Sequence, residues 1–415
     1  MKWKWKPNWK EMKRWKKVTL IALGLFLLFQ IPFIYHRVRL GNLRTAIQKV
    51  NAARVVDESA SAYTDYKGVV HVHSSLGGHS TGNFVDIIQA ANRNNLSFVV
   101  MTEHTSDVMD TSGMTLKGVH SGVLFVGGNE VNTASHDRML LVPGSAEAAT
   151  ADTVLTQQVL AGQKARGSLS FIAYPHEFTS WDLSDYDGME VYNLYTNTKK
   201  INYFVTFFDS LWSYRSYADL MFTRFYERPH DELKKWDELI AAKNRKVVAI
   251  AGNDAHANVG FQLGDRMGKS LIGVHLDPYE RTFSVVRNHV LIEKEKPLTS
   301  ETLLAGLASG HCYIAFDLFG DSTGFTFSAE NSQGGKIMGD EIELLDGVRL
   351  TITTPVPARV LLIKDGQVIR DEDGLSRKEF PIAERGVYRV EVYLTQLGAL
   401  VKGKPWIISN PIYIR

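Results

Sequence analysis

Cysteine is almost absent: Cys312 is the single one in 415 residues. That excludes an internal disulfide and a cysteine-built zinc site. A lone cysteine reads as a small buried hydrophobe. A basic surface is missing too. Residues 1–17 hold eight Lys or Arg against Glu11 alone, and the remainder has 39 basic and 44 acidic residues. A mildly acidic body argues against a nucleic-acid partner.

What is present begins at the N-terminus. Residues 18–34, VTLIALGLFLLFQIPFI, carry no charge. At about 1.5 Å per residue they span roughly 26 Å, the short end for a membrane helix. A basic tail with Trp3, Trp5, Trp9 and Trp15 precedes them, and only Arg37 and Arg39 follow closely. The positive-inside rule then predicts a cytoplasmic tail and an exported body, either periplasmic or extracellular. The competing reading is a cleaved signal peptide. The residues after the run, Ile34-Tyr35-His36-Arg37, are bulky, and Ala60-Ser61-Ala62 lies far downstream, so a retained signal anchor is expected.

The chain divides into a basic tail (1–17), an anchor (18–35), a juxtamembrane spacer (36–64) and a body. The spacer shows Leu40, Leu43, Ile47 and Val50 at helical spacing. Seven apolar runs follow, at 69–73, 98–102, 123–127, 139–142, 169–173, 189–192 and 247–251. Helix-like segments at 86–94 and 149–164 lie between them. Alternation of this kind predicts an α/β fold, a parallel sheet or a β/α barrel over 65–320. Residues 195–243 interrupt it with aromatics. They read as helices packed on the barrel wall, as a lid, or as a surface resting on a bilayer. Over 321–415 short alternating runs split by Gly, Asp and Pro predict a small antiparallel β-sandwich, with a hairpin at Lys364-Asp365-Gly366-Gln367.

The polar groups at the ends of the runs share one chemistry. The first run ends in His71-Val72-His73, with His79 close behind. In a strand, residues i and i+2 face the same way, so both imidazoles aim at one spot. Thr102-Glu103-His104 ends the second run, and Gly127-Gly128-Asn129-Glu130 follows the third. His136 precedes the fourth. Tyr174-Pro175-His176 follows the fifth, and Asn253-Asp254-Ala255-His256 the seventh. Imidazole and carboxylate suit Zn²⁺, Mn²⁺ or Fe. In a β/α barrel, such strand ends converge on one face.

This ordered set resembles the polymerase and histidinol phosphatase (PHP) metallohydrolases over residues 65–320: His-x-His-Ser, Thr-acid-His, Gly-x-x-Glu, a single His, a Pro-adjacent His, Gly-x-Glu-Val-Tyr-Asn and Asn-Asp-Ala-His. The resemblance implies a distorted seven-stranded TIM-like barrel and two to three divalent ions. It implies that His71, His73, Glu130 and Asp254 hold the first ion, and His79, His104 and His256 the second. Glu130 would bridge to a third, held with His136 and His176. Glu103 replaces the usual Asp and would orient His104 from behind. The family's His-Pro reads Tyr174-Pro175 here, with His176 beyond the proline. Amidohydrolases also open with His-x-His, but they use a lysine or other bridging ligand on a middle strand, and no lysine ends a middle run here.

The expected activity is hydrolysis of a phosphate ester by a metal-activated hydroxide. Arg138 is a candidate anion contact, and Asn193 and Asn253 are candidate polar contacts. One alternative keeps the metals and cleaves a carboxyl or carbamate ester. Another is a membrane-anchored scaffold with structural metals. Expected partners are the membrane and a small or lipid-derived phosphate ester.

Overall fold

The computed structural model describes residues 12–57, 61–198, 202–242, 245–258, 260–264, 270–275, 277–345 and 347–415. Trp3, Trp5 and Trp9 of the tail, and Ala60 of the weighed cleavage site, lie outside these residues.

One helix, α1 (Arg14–Ala52), includes both the apolar run and the spacer without a break at Pro32. It is long and apolar enough to cross a membrane. Its two halves differ. Leu20, Leu25, Leu27 and Leu28 are exposed, whereas Phe33, His36, Leu40, Leu43, Ile47 and Val50 are buried. Those six recur every three or four residues, so one stripe of the second half packs on the body.

The seven runs form seven strands: β1 (Tyr63–Val72), β2 (Phe98–His104), β3 (Val123–Asn132), β4 (Arg138–Val142), β5 (Leu169–Ile172), β6 (Gly188–Asn193) and β7 (Val248–Ala255). Each pairs with the next, and β7 pairs back to β1, closing a barrel. β4 alone runs antiparallel to both neighbours. Its N-terminal end, at Arg138, therefore sits beside the C-terminal ends of the other six. Alternation fills the interior with Val70, Val100, Leu124, Val126, Leu140, Phe171 and Ile250. Val69, Val99, Met101 and Phe125 face outward against helix α2 (Phe84–Arg93), which contributes Ile87, Ala90 and Ala91.

The C-terminal strands are hydrogen-bonded to the barrel. β1 pairs with β8 (Arg287–Glu293), β8 with β9 (Cys312–Ala315), and β9 with a late strand, Ile407–Ser409. The last of these pairs with Gly386–Tyr393, which lies against the long strand Val348–Lys364. Asp365 and Gly366 turn that long strand into its hairpin partner with positive φ at both positions, 49° and 81°. One core joins Leu40 and Leu43 of α1, Met189 and Ala249 of the barrel wall, and Val360, Leu362, Val390 and Trp406. A buried ion network adds to the seam: Arg389 donates to both carboxylate oxygens of Asp237 at 2.7 Å and to Glu391 at 2.7 Å.

A second buried network lies between β1 and β8. His289 pairs with Asp65 at 2.8 Å and Asp317 at 3.2 Å. Burial opposes charge on this imidazole, yet the two carboxylates outweigh it and raise its pKa to about 9. The group is raised above its unfolded value near 6.5, so its contribution is complete below that pH and is lost as pH climbs through 9. We expect roughly 3 kcal/mol from this site. Thermal unfolding of the full chain in detergent should fall from pH 6 to pH 9.5 more steeply than in His289→Gln; parallel profiles would refute the assignment.

Candidate metal centre

His71 and His73 face the same way, as residues i and i+2 of a strand do, and a bulge ahead of them sets which way. The pairing of β1 with β2 slips between Val70 and Val72, leaving His71 as an extra residue with φ 67°. Val70 and His71 thus both face inward while Val72 packs on the outer face. A bulge re-aims the side chain that alternation would have turned out. Tyr174 and Asp254 also take positive φ, 49° and 48°. Three strand ends at the site hold backbone conformations that non-glycine residues rarely adopt.

Four buried donors meet there. His71 Nε2 and His73 Nε2 each lie 3.4 Å from Glu130 Oε2 and 3.6 Å from Asp254 Oδ1. These separations are too long for hydrogen bonds. All four atoms are buried without a hydrogen-bond partner. Such a cost is offset only by a further charge. Bonds of about 2.1 Å to a shared ion subtend gaps of about this size at roughly 110–120°. The donor set and its spacing fit a divalent cation.

A second group adjoins it. His73, His104 and His256 present nitrogens within 4.8 Å of one another. His104 Nδ1 lies 3.3 Å from the same Glu130 Oε2, so one carboxylate oxygen serves both groups. The His256 Nδ1–H donates to the Asp254 carbonyl at 3.0 Å, which leaves Nε2 free. His79 is exposed at the rim, edge-on to His104 with ring centroids 4.8 Å apart.

The third corner differs from expectation. His136 and His176 are exposed, and neither belongs to a ligand-grade group among the described residues. His176 pairs with Glu177 at 3.5 Å. With φ 49° at Tyr174, the phenol turns in and the residue beyond Pro175 turns away. Tyr174 donates to Asp254 Oδ2, and Arg138 stacks over its ring at 4.9 Å. Arg138 Nη1 also reaches to 3.7 Å from Glu130 Oε1. A fixed guanidinium and a phenol take the corner where a third ion was expected.

Glu103 is also placed differently. Alternation along β2 sends Thr102 and His104 inward and Glu103 outward. Its carboxylate accepts from Ser74 N at 2.9 Å, Ser74 Oγ at 2.7 Å and Thr115 Oγ1 at 2.7 Å. It fixes the turn after His73 and makes no such bond to the His104 ring. Asn253 likewise faces out and donates to the Thr282 and Val286 carbonyls. Asn193 donates to Glu190 at 3.1 Å.

Glu190, quoted within Gly-x-Glu-Val-Tyr-Asn, is the residue to which sequence reasoning gave no role. It accepts from His71 Nδ1 at 2.6 Å, fixing the tautomer that frees Nε2. The available signal was a carboxylate inside an apolar run. Gly252 on the adjacent strand makes room for it: a Cβ there would stand 1.9 Å from Glu190 Oε1. Gly252→Ala should therefore displace Glu190 and lower metal affinity about 10- to 100-fold, with secondary structure unchanged. Unaltered affinity by calorimetry would remove Glu190 from this role.

Charge sorts the histidines. Burial opposes protonation of His71, but Glu190, Asp254 and Glu130 outweigh it and raise its pKa well above 6.5. Burial and then the neighbouring imidazoles of His256, His71 and His104 push His73 well below 6.5, so it is neutral and ready to ligate. Burial would raise Glu130, but His71, His104 and Arg138 hold it below the usual carboxylate range. A cation must displace the proton on His71. Affinity should rise with pH from 6 through 8, and titration in buffers of different ionisation enthalpy should show proton release. Binding without proton release would contradict this account.

No family model matches the chain, and no curated protein matches it. Among solved structures, PsfC from Pseudomonas syringae PB-5123 aligns at TM-score 0.38 and 11% identity, over 61% of this chain and 92% of PsfC. Likeness at that level carries no weight for fold or function.

Proposed function

We propose that this protein is a metal-dependent hydrolase of the PHP kind, acting on a phosphate ester at a two-ion site. The observation that carries the reading is Glu130 Oε2, faced at 3.3–3.4 Å by nitrogens of His71, His73 and His104. A carboxylate oxygen shared by two ligand groups suits paired ions. The seven-strand ring, with ligands gathered where six C-terminal ends meet the start of β4, supports the family reading. The metals implied are Zn, Mn or Fe ions. Two, rather than three, fit the residues present.

His71, His73, Glu130 and Asp254 would hold one ion, and His104 and His256, with Glu130 shared, the other. Divalent ions, when bound, would lower the pKa of a water and neutralise charge on the scissile group. The chain supplies the rest. A cavity of about 290 Å³ opens over the cluster, lined by His79, His104, Glu130, Arg138, Tyr174 and His256. That opening argues against a closed structural site and a scaffold role. Arg138, with its side chain 36% exposed, presents a guanidinium to an anionic oxygen. His79 at the rim is placed to give a proton to the departing oxygen. Tyr174 stays protonated, because burial and then Asp254 and Glu130 oppose a phenolate.

A third corner without an ion lowers the positive charge, which favours a singly charged phosphodiester over a doubly charged monoester. The second reading is a carboxyl or carbamate ester. The observation in its favour is the guanidinium at the cavity, Arg138, which suits a carbonyl oxygen as well as a phosphate oxygen. The basic tail before the apolar half of α1, and the sparse charge after it, support a cytoplasmic N-terminus and a barrel on the far side.

Full-length protein loaded with Mn²⁺ or Zn²⁺ should cleave a chromogenic phosphodiester faster than a monoester or a carboxyl ester. His73→Ala should reduce this to background, and Arg138→Ala should raise KM roughly 10-fold. Ester turnover without phosphodiester turnover selects the second reading. Full activity in His73→Ala would contradict both.

A further inference from the structure

Along the chain between β6 and β7 lies a 15-residue helix, α3 (Tyr203–Tyr217), that leaves an apolar face uncovered. Tyr203 is 79% exposed, Phe204 62%, Phe207 58% and Leu211 63%. Their spacing puts them along one side. A soluble helix would turn such a face to the core. Here the two fully buried residues of the helix are polar, Asp209 and Ser213.

The helix is fastened to α1 rather than to the barrel wall. Phe29 packs on Phe208 with centroids 5.0 Å apart, and Phe33 on Phe208 at 5.7 Å. Trp212 Nε1 donates to Gln30 at 2.9 Å, and His36 pairs with Asp209 at 2.8 Å. Arg37 donates to the Trp212 carbonyl, and Arg44 to Asp219 at 2.7 Å. Contacts run from Phe29 beside Phe204 to Arg37 beside Ser216, so the helices run parallel. The start of α3 therefore lies beside Phe29, about 7.5 Å inside the end of the apolar run at Ile34. Gln30, a polar residue within that run, has its carbonyl satisfied by Trp212. The exposed apolar face of α3 meets the exposed side of α1 where Phe204 packs on Phe29, with ring centroids 5.9 Å apart.

We propose that α3 is a second membrane-binding element, seated in the leaflet on the barrel's side. This seat places the candidate site against the bilayer surface, so its substrate is an amphiphile held in that bilayer by its chain, presenting an ester head group. The uncovered face commits to lipid because it extends an apolar surface of α1 already suited to lipid. The link to the site is short. Tyr195, which lines the cavity over the cluster and lies 6.1 Å from the His256 ring, precedes α3 by only eight residues. The substrate class rests on the hydrolase reading; the seat of α3 does not.

The test uses full-length protein in phosphatidylcholine–phosphatidylglycerol vesicles, with an environment-sensitive label on Phe207→Cys or on Val108→Cys, which is 84% exposed elsewhere. Doxyl groups on the acyl chains should quench the label at 207 and not that at 108. A label at 207 as unquenched as that at 108, or one that cross-links to a second copy, overturns the membrane seat. The triple variant Phe204→Ser, Phe207→Ser, Leu211→Ser should lose roughly 10-fold in turnover of a vesicle-borne phosphodiester and keep its rate on a soluble short-chain one. Equal loss on both overturns the substrate class. Turnover of neither by the parent protein sinks the hydrolase reading, while quenching still decides where α3 lies.

Discussion

Burial of negative charge at one end of the barrel is the constraint on which the rest depends. Glu130, Glu190 and Asp254 are each at most 3% exposed, and all three lie within reach of His71. Carboxylates removed from water need compensating positive charge. Arg138 supplies a fixed part, and the proton on His71 supplies a provisional one. The donor atoms left over, without hydrogen-bond partners, ask for a cation. The positive φ of His71 and Asp254, the bulge in β1 and the missing side chain at Gly252 all serve to place these groups together.

Much of this was legible in the sequence, because a barrel converts position along a run into position in space. His71, His73, His104, Glu130, Asp254 and His256 stand at run ends, and they meet. The residues that escaped did so for local backbone reasons. The bulge ahead of His71, which sets the face that both histidines share, is not visible in residue type. Tyr174 and His176 flank one proline, and which of them faces inward depends on a backbone angle that residue type does not reveal. Glu103 is the opposite lesson: alternation along β2 turned it outward, and the family resemblance obscured that. Glu190 was hidden inside an apolar run because its partner, His71, lies 119 residues away. The aromatic count of residues 195–243 was plain, but the covering partner of that segment, α1, is a long-range pairing that periodicity does not report.

The architecture connects these levels. α1 carries both the apolar run and a stripe of the core, so the barrel cannot turn freely relative to a helix long and apolar enough to cross a membrane. The late strands share a sheet with β1 through β8 and β9, and Arg389 ties them to Asp237 on the barrel's flank. The candidate site is thus carried on a rigid frame, open on one side, with Arg138 at the mouth. Precise placement of donors matters more than their number for metal-assisted chemistry, and strand-borne ligands provide it.

The most direct test of the central claim is anomalous diffraction from crystals of the purified protein. The account predicts two metal peaks per chain, one bounded by His71, His73, Glu130 and Asp254, the other against His104 and His256, with none between Tyr174 and Arg138. A protein purified with zinc or manganese present that shows no peak among His71, His73, Glu130 and Asp254 would contradict it.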